Sequence, residues 1–135
     1  MKLTTDTIKT INLFESLTGA KAKDCLNENG KIIFLVEEGN VKRALGKNGS
    51  NIRRISNLLK KEAVIIAFSN DVCKFVSNLI YPNRADEIVL EGETVIVRVS
   101  DSVTKGRIYG RSRENLKRIN QIVKNYFKIK EVMIE

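Results

Sequence analysis

The chain has 135 residues, 42% hydrophobic and 30% charged, with 24 Lys plus Arg against 16 Asp plus Glu and a formal net charge of +8. This composition argues against disorder, and the longest uninterrupted apolar run, Ala63 to Phe68, falls far short of the roughly 20 residues of a membrane span. The basic excess favours an anionic partner.

Thr5-Asp6 can cap a first helix running to about Thr18, with Ile8, Ile11, Leu13, Phe14 and Leu17 on one face and Gly19 as its stop. Ala22 to Leu26 and Lys31 to Glu37 read as strands of a hairpin turning at Asn29-Gly30. A short helix over Asn40 to Leu45 follows, then the loop Gly46-Lys47-Asn48-Gly49. A longer helix over Ser50 to Lys60 buries Ile52, Ile55 and Leu59. Ala63 to Phe68 closes the unit as a strand. The same order then repeats. Asp71 to Tyr81 is a helix ended by Pro82, and Glu87 to Leu90 with Thr94 to Val99 form a hairpin around Gly92. Val103 to Tyr109 is the short helix, Glu114 to Tyr126 the long one, and Ile129 to Ile134 the last strand. The order α-β-β-α-α-β therefore occurs twice, with a boundary near Ser69-Asn70-Asp71.

Residue matches support the duplication. At an offset of 64, Arg43, Gly46, Asn51, Arg54, Ile55 and Lys60 face Arg107, Gly110, Asn115, Arg118, Ile119 and Lys124. The loop itself returns as Gly110-Arg111-Ser112-Arg113. Charge follows the same repeat. Residues 42 to 61 hold Lys42, Arg43, Lys47, Arg53, Arg54, Lys60 and Lys61 with no acid, and residues 105 to 124 hold Lys105, Arg107, Arg111, Arg113, Lys117, Arg118 and Lys124 against Glu114 alone. Charge spread for solubility would not gather around two glycine turns.

A helix start carries unpaired backbone N–H groups and partial positive charge, and glycine lets an anion approach that backbone closely. Gly46 and Gly49 remove two side chains there, while Lys47, Arg43, Arg53 and Arg54 add attraction. A nucleoside-triphosphate loop is rejected. Gly39 precedes Gly46 by seven positions, and Asn48 stands where G-x-x-x-x-G-K-[ST] needs a hydroxyl. Catalysis is not expected either. The chain has no histidine, no clustered carboxylates suited to metal-dependent cleavage, and no Ser or Cys with a recognisable base. Cys25 and Cys73 lack metal-ligand spacing and read as small buried hydrophobes. No cofactor, metal, small-molecule substrate or membrane partner is expected, and a cytoplasmic location fits the absence of a secretory leader.

These residues resemble the KH domain family, whose GXXG loop clamps a single-stranded backbone of about four nucleotides. The resemblance implies an α+β fold of two tandem type II (prokaryotic) KH domains, residues 1–69 with an intact GXXG loop and residues 70–135 with a degenerate one. Gly46-Lys47-Asn48-Gly49-Ser50-Asn51-Ile52 is also similar to the pattern of the NusA family, in particular its archaeal NusA-like members, and the likeness covers almost the whole chain. It implies single-stranded RNA binding in transcription termination or antitermination, with RNA polymerase or its elongation complex as a further partner. Ribosome assembly, or a docking scaffold for RNA polymerase, are the alternatives.

Carried onto this chain, the RNA-binding set of the first unit is Lys42, Arg43, Gly46, Lys47, Asn48, Gly49, Ser50, Arg53 and Arg54. Ile52 and Ile66 are candidates for the groove floor or for plain core packing, and Arg53 and Arg54 for groove contact or a solvated helix face. In the second unit the set is Arg107, Gly110, Arg111, Ser112, Arg113, Lys117 and Arg118. Arg113 replaces the second glycine, where it would crowd a close backbone, although its guanidinium could grip a phosphate. The first unit is expected to be the primary clamp and the second an extension of the track.

Overall fold

A computed structural model describes residues 5–28 and 30–135, without the side chain of Thr5. Helix α1 (Thr5–Thr18) opens the first unit. It sets Ile11, Phe14 and Leu17 on the hydrophobic core, and Phe14 stacks on Phe34 with ring centroids 4.3 Å apart. Ile8, expected on this face, is 45% exposed. At 3.6 residues per turn it lies about 120° round the helix from Phe14, outside the apolar stripe. The helix ends as Gly19 N donates to the Glu15 carbonyl at 2.9 Å. The cap expected of Thr5 and the Asn29 half of the hairpin turn lie outside the described residues.

Strands β1 (Ala22–Glu28) and β2 (Lys31–Glu37) pair antiparallel, with an irregularity between Ala22 and Asp24. A single 3₁₀ turn, Glu38–Asn40, leads into helix α2 (Val41–Leu45). Another, Lys47–Gly49, leads into helix α3 (Ser50–Leu59). Strand β3 (Glu62–Phe68) then pairs parallel to β2, so the sheet order is β1-β2-β3. A parallel return needs a long crossover, and the two helices with their intervening turn supply it. Cys25, Ile32, Phe34, Val36 and Ala63 from one sheet face form a core with Phe14, Ala44 and Ile55. Serine holds the end of α3 to the sheet. The Ser56 hydroxyl donates to the Ile52 carbonyl at 2.9 Å and accepts from Ala63 N at 3.0 Å.

The chain divides into two compact units, one ending at Phe68 and the other beginning at Ser69. The second is built to the same plan. Helix α4 (Val72–Ile80) is capped by Asp71, whose carboxylate accepts from Cys73 N at 2.9 Å. Strands β4 (Glu87–Glu91) and β5 (Thr94–Arg98) pair antiparallel. Helix α5 (Ser102–Tyr109), a 3₁₀ turn at Arg111–Arg113 and helix α6 (Glu114–Tyr126) cross over to strand β6 (Glu131–Ile134). β6 runs parallel to β5, giving the order β4-β5-β6. Phe75, Val76, Val95, Val97, Ile108, Ile119 and Val123 are buried. The fold class is α+β, with α-β-β-α-α-β in each unit.

Two further expectations need correction. The final strand begins at Glu131, not Ile129. Cys73 is only half-buried while Cys25 is buried, because Cys73 lies at the margin of the stripe Val72, Phe75, Val76 and Leu79 that α4 buries. Burial pushes the Cys25 thiol up to about 11, with help from the neighbouring Asp24 carboxylate. Among the described residues no helix is long and apolar enough to cross a membrane, and no group of three or more His, Cys, Asp or Glu could hold a metal ion.

Candidate nucleic-acid interface

Helix α2 stops at Gly46, whose backbone sits at φ 75°, ψ 173°. Gly46 N donates to the Lys42 carbonyl at 3.0 Å, and the Gly46 carbonyl accepts from Gly49 N at 3.1 Å, folding the chain into a tight corner. Asn48 (φ 55°, ψ 30°) and Gly49 (φ 73°, ψ 18°) then turn it into α3. Asn51, one residue into α3, donates from Nδ2 to the Arg43 carbonyl at 2.9 Å and fastens the new helix to the old one. The sequence repeat marked Asn51 and Asn115 as identical, but only the structure shows why.

The two glycines do different jobs. A Cβ on Gly46 would lie 2.9 Å from Asn51 N and 2.7 Å from its Cγ, against the backbone of the very helix it introduces. No side chain fits there. A Cβ on Gly49 would meet only the end of the Arg53 side chain, at 3.3 Å, and Ile52 Cγ2 at 3.7 Å. At this second position glycine answers to the left-handed φ and leaves the outer surface of the corner bare. Lys47 and Asn48 are exposed and both glycines half-exposed, so the corner is open to solvent.

The second loop repeats this backbone almost degree for degree. Gly110 sits at φ 74°, ψ 172°, Ser112 at φ 53°, ψ 29°, and Arg113 at φ 62°, ψ 19°. The Gly110 carbonyl accepts from Arg113 N at 3.1 Å, and Asn115 Nδ2 donates to the Ile108 carbonyl at 2.9 Å. A Cβ on Gly110 would lie 2.6 Å from Asn115 Cβ and 2.9 Å from its N. The first glycine is thus as necessary here, while an arginine adopts the conformation of the second. Its guanidinium lies over the Tyr109 ring, 5.2 Å from the centroid.

The basic residues separate into free and engaged groups. Lys42, Lys47 and Arg54 are exposed and take part in no ion pair among the described residues. Ser50, at the start of α3, is exposed beside them. Arg107, Arg111, Ser112 and Lys117 are exposed around the second loop. Other arginines hold the scaffold. Arg43 Nη1 reaches the Gly19 carbonyl at 3.4 Å, and Arg53 Nη1 donates to the Asn48 carbonyl at 2.6 Å, bracing the corner. Arg118 Nη1 donates to Asn115 Oδ1 at 3.0 Å and so steadies the asparagine that fastens the second loop.

Of the two apolar candidates, Ile52 packs half-buried at the edge of the first core. Ile66 is on the wrong side of the sheet for a groove beside α3. Ala63 and Ile65 face the helix-side core, and alternation puts Ile66, opposite Leu35, on the other face, where it is 9% exposed. Ile65 takes the place expected of Ile66. A nearly continuous apolar strand such as Ala63–Phe68 does not reveal which of its faces meets which layer.

In the second unit the cleft between α6 and β6 is an open trough of about 710 Å³. Leu116, Val132, Met133 and Ile134 supply apolar lining, and Arg113, Lys117, Lys124 and Lys130 stand around it with Glu131 the single acid. Asn120 holds its two walls together, donating to the Leu116 and Val132 carbonyls, each at 3.0 Å, and accepting from Val132 N at 2.7 Å. It is the counterpart of Ser56. Neither Asn120 nor Tyr109 stood out in the sequence, because their positions are shown only by the strand that returns beside α6.

The family model for the KH domain matches residues 10–70. A probable transcription termination protein NusA of Methanocaldococcus jannaschii is 29% identical over 138 residues, covering 99% of this chain and 75% of that protein. One of Methanococcus vannielii, under the same description, is 33% identical over 101 residues, or 73% of this chain; the match spans just 58% of that relative. Another, of Halococcus morrhuae, is 26% identical over 127 residues, covering 93% of this chain and 91% of its own. Among solved structures, the crystal structure of APE1850 superposes with a TM-score of 0.77 at 27% identity, over 98% of this chain and all of that one (100%).

Proposed function

The chain is a NusA-like KH protein of the archaeal kind, and from that premise we propose that it clamps single-stranded RNA during transcription termination or antitermination. The observation that carries this reading is the exposed Gly46–Gly49 corner, which opens α3 and whose second glycine leaves the outer surface without a side chain. The α3 start carries the partial positive charge of a helix N-terminus, which favours a phosphate, while Gly49 N and Ser50 N are taken by the Gly46 and Lys47 carbonyls. Gly46, Lys47, Asn48, Gly49 and Ser50 form the contact. Lys42 and Arg54 add attraction from the flanks, Arg43 and Arg53 brace the corner, and Ile52 with Ile65 offers an apolar surface to a base.

In this reading the chain is two type II KH domains in tandem, residues 1–69 and 70–135. The shared order α-β-β-α-α-β and the matching loop geometry support the second domain. Arg107, Gly110, Arg111, Ser112, Arg113, Lys117 and Arg118 make up its RNA-facing surface. The protein acts by binding and not by catalysis, and the setting of its RNA is the transcription elongation complex.

Fluorescence anisotropy with a single-stranded RNA, comparing the native chain with Gly49→Asp, tests the clamp. The aspartate puts a carboxylate where the phosphate would lie, and a loss of roughly 10- to 100-fold is expected, about 1.4 to 2.7 kcal/mol. Unchanged binding would reject the corner as the contact. Crosslinking in cells tests the setting, because nascent leader transcripts support a role in transcription and ribosomal precursors would point to ribosome assembly instead.

A further inference from the structure

We infer that the trough of the second unit holds single-stranded RNA through a guanidinium fork, Arg113 seated on Tyr109, in place of the bare loop backbone that glycine provides in the first unit. The inference rests on the RNA-binding reading and adds a different chemistry at its second loop. Three observations carry it. The loop keeps the geometry of the first, with Arg113 at φ 62° where Gly49 has φ 73°, so the arginine is accommodated at the price of a left-handed backbone. The guanidinium lies 5.2 Å from the Tyr109 ring centroid, within the range of a cation–π contact. The Tyr109 hydroxyl in turn donates to the Ile134 carbonyl at 3.4 Å, which ties the ring to β6 across the trough.

A planar guanidinium held on an aromatic ring loses less freedom when it binds, and its paired N–H groups match a phosphate. Both Tyr109 and Arg113 line the trough, with Lys117, Lys124 and Lys130 around it and Leu116 in its apolar lining. Basic walls over an apolar surface suit a strand that carries phosphates on one side and bases on the other. The first unit has no equivalent pair, because Leu45 and Gly49 occupy the matching positions.

The test is substitution toward the intact loop. A clamp that works only through bare backbone binds RNA more tightly when Arg113→Gly restores the second glycine. The Arg113 fork predicts the reverse, a loss of roughly tenfold from one charge-assisted contact and a salt slope shallower by about 0.7. Glycine tolerates this φ, so the variant folds, and thermal melting verifies that. Tyr109 is a positioning residue. Tyr109→Leu should weaken binding several-fold, Tyr109→Phe should retain most of it, and in the Arg113→Gly background Tyr109→Leu should add nothing further. Equal or tighter binding by Arg113→Gly would overturn the inference and leave the first-unit clamp standing. Failure of the native chain to bind single-stranded RNA would overturn both.

Discussion

The corners at 46–49 and 110–113 share one backbone and differ in what they offer a ligand. Their first glycines are equally indispensable, since in each a Cβ would approach an asparagine backbone nitrogen to 2.9 Å. Their second positions are unlike, Gly49 bare and Arg113 covered by its own side chain. The corner is therefore a folding element first, and in the proposed reading its binding chemistry is set at the last of its four residues.

The largest effect expected is on folding. Gly46→Ala and Gly110→Ala combine a left-handed φ with a steric clash, and each should destabilise its unit by about 1 to 3 kcal/mol, read as a fall in the denaturation midpoint. If only one of them destabilised the chain, the two corners would not be structurally equivalent. Next come the asparagine fastenings. Asn51→Ala and Asn115→Ala each remove one hydrogen bond, at about 1 kcal/mol, and should loosen the corners to a similar extent. Arg113→Gly should go the other way, stabilising the second unit by roughly 1 kcal/mol as a non-glycine left-handed residue is relieved. Such a gain in stability with a loss in RNA affinity would separate folding from binding at one residue.

The smallest expected effect depends on pH. Asp101 caps α5, its carboxylate accepting from Thr104 N at 2.9 Å, and hydrogen bonds from the Thr104 side chain and backbone hold its pKa below the ordinary value. A depressed carboxylate contributes stability that is complete above the unfolded pKa and is lost as pH falls through the folded one. At the offset of 64 the position matching Asp101 is Glu37, which precedes the turn into α2 and makes no side-chain cap bond. Acid should thus loosen α5 and spare α2, a contrast that amide hydrogen exchange at low pH can read. Equal loosening of the two helices would sink it.

The order of elements was legible in the sequence because most helices and strands are bounded by a cap, a glycine or the single proline. The span Glu114 to Tyr126 read from the sequence matches α6 to the residue, since its apolar positions keep a helical period and the basic loop precedes it. The errors arose where local pattern is silent. Ile8 is apolar and near the right face, yet 120° from Phe14 is too far to reach the core. Ile66 lies in a strand so evenly apolar that its faces look alike, and only pairing with β2 distinguishes them. The basic residues stand out in the sequence as a group, but their division into braces such as Arg53 and Arg118 and free charges such as Lys47 and Arg54 depends on carbonyl and amide oxygens that no periodicity reveals. Asn120 and Tyr109 lie in the trough only because β6 returns alongside α6.

The central claim, that an open glycine corner grips an RNA backbone, is tested most directly by the salt dependence of single-stranded RNA binding in the native chain and in Gly49→Asp. With about four phosphates held, log affinity should fall with log salt at a slope near −3, and Gly49→Asp should make that slope distinctly shallower. A native slope near zero, or one that Gly49→Asp leaves unaltered, would contradict the account.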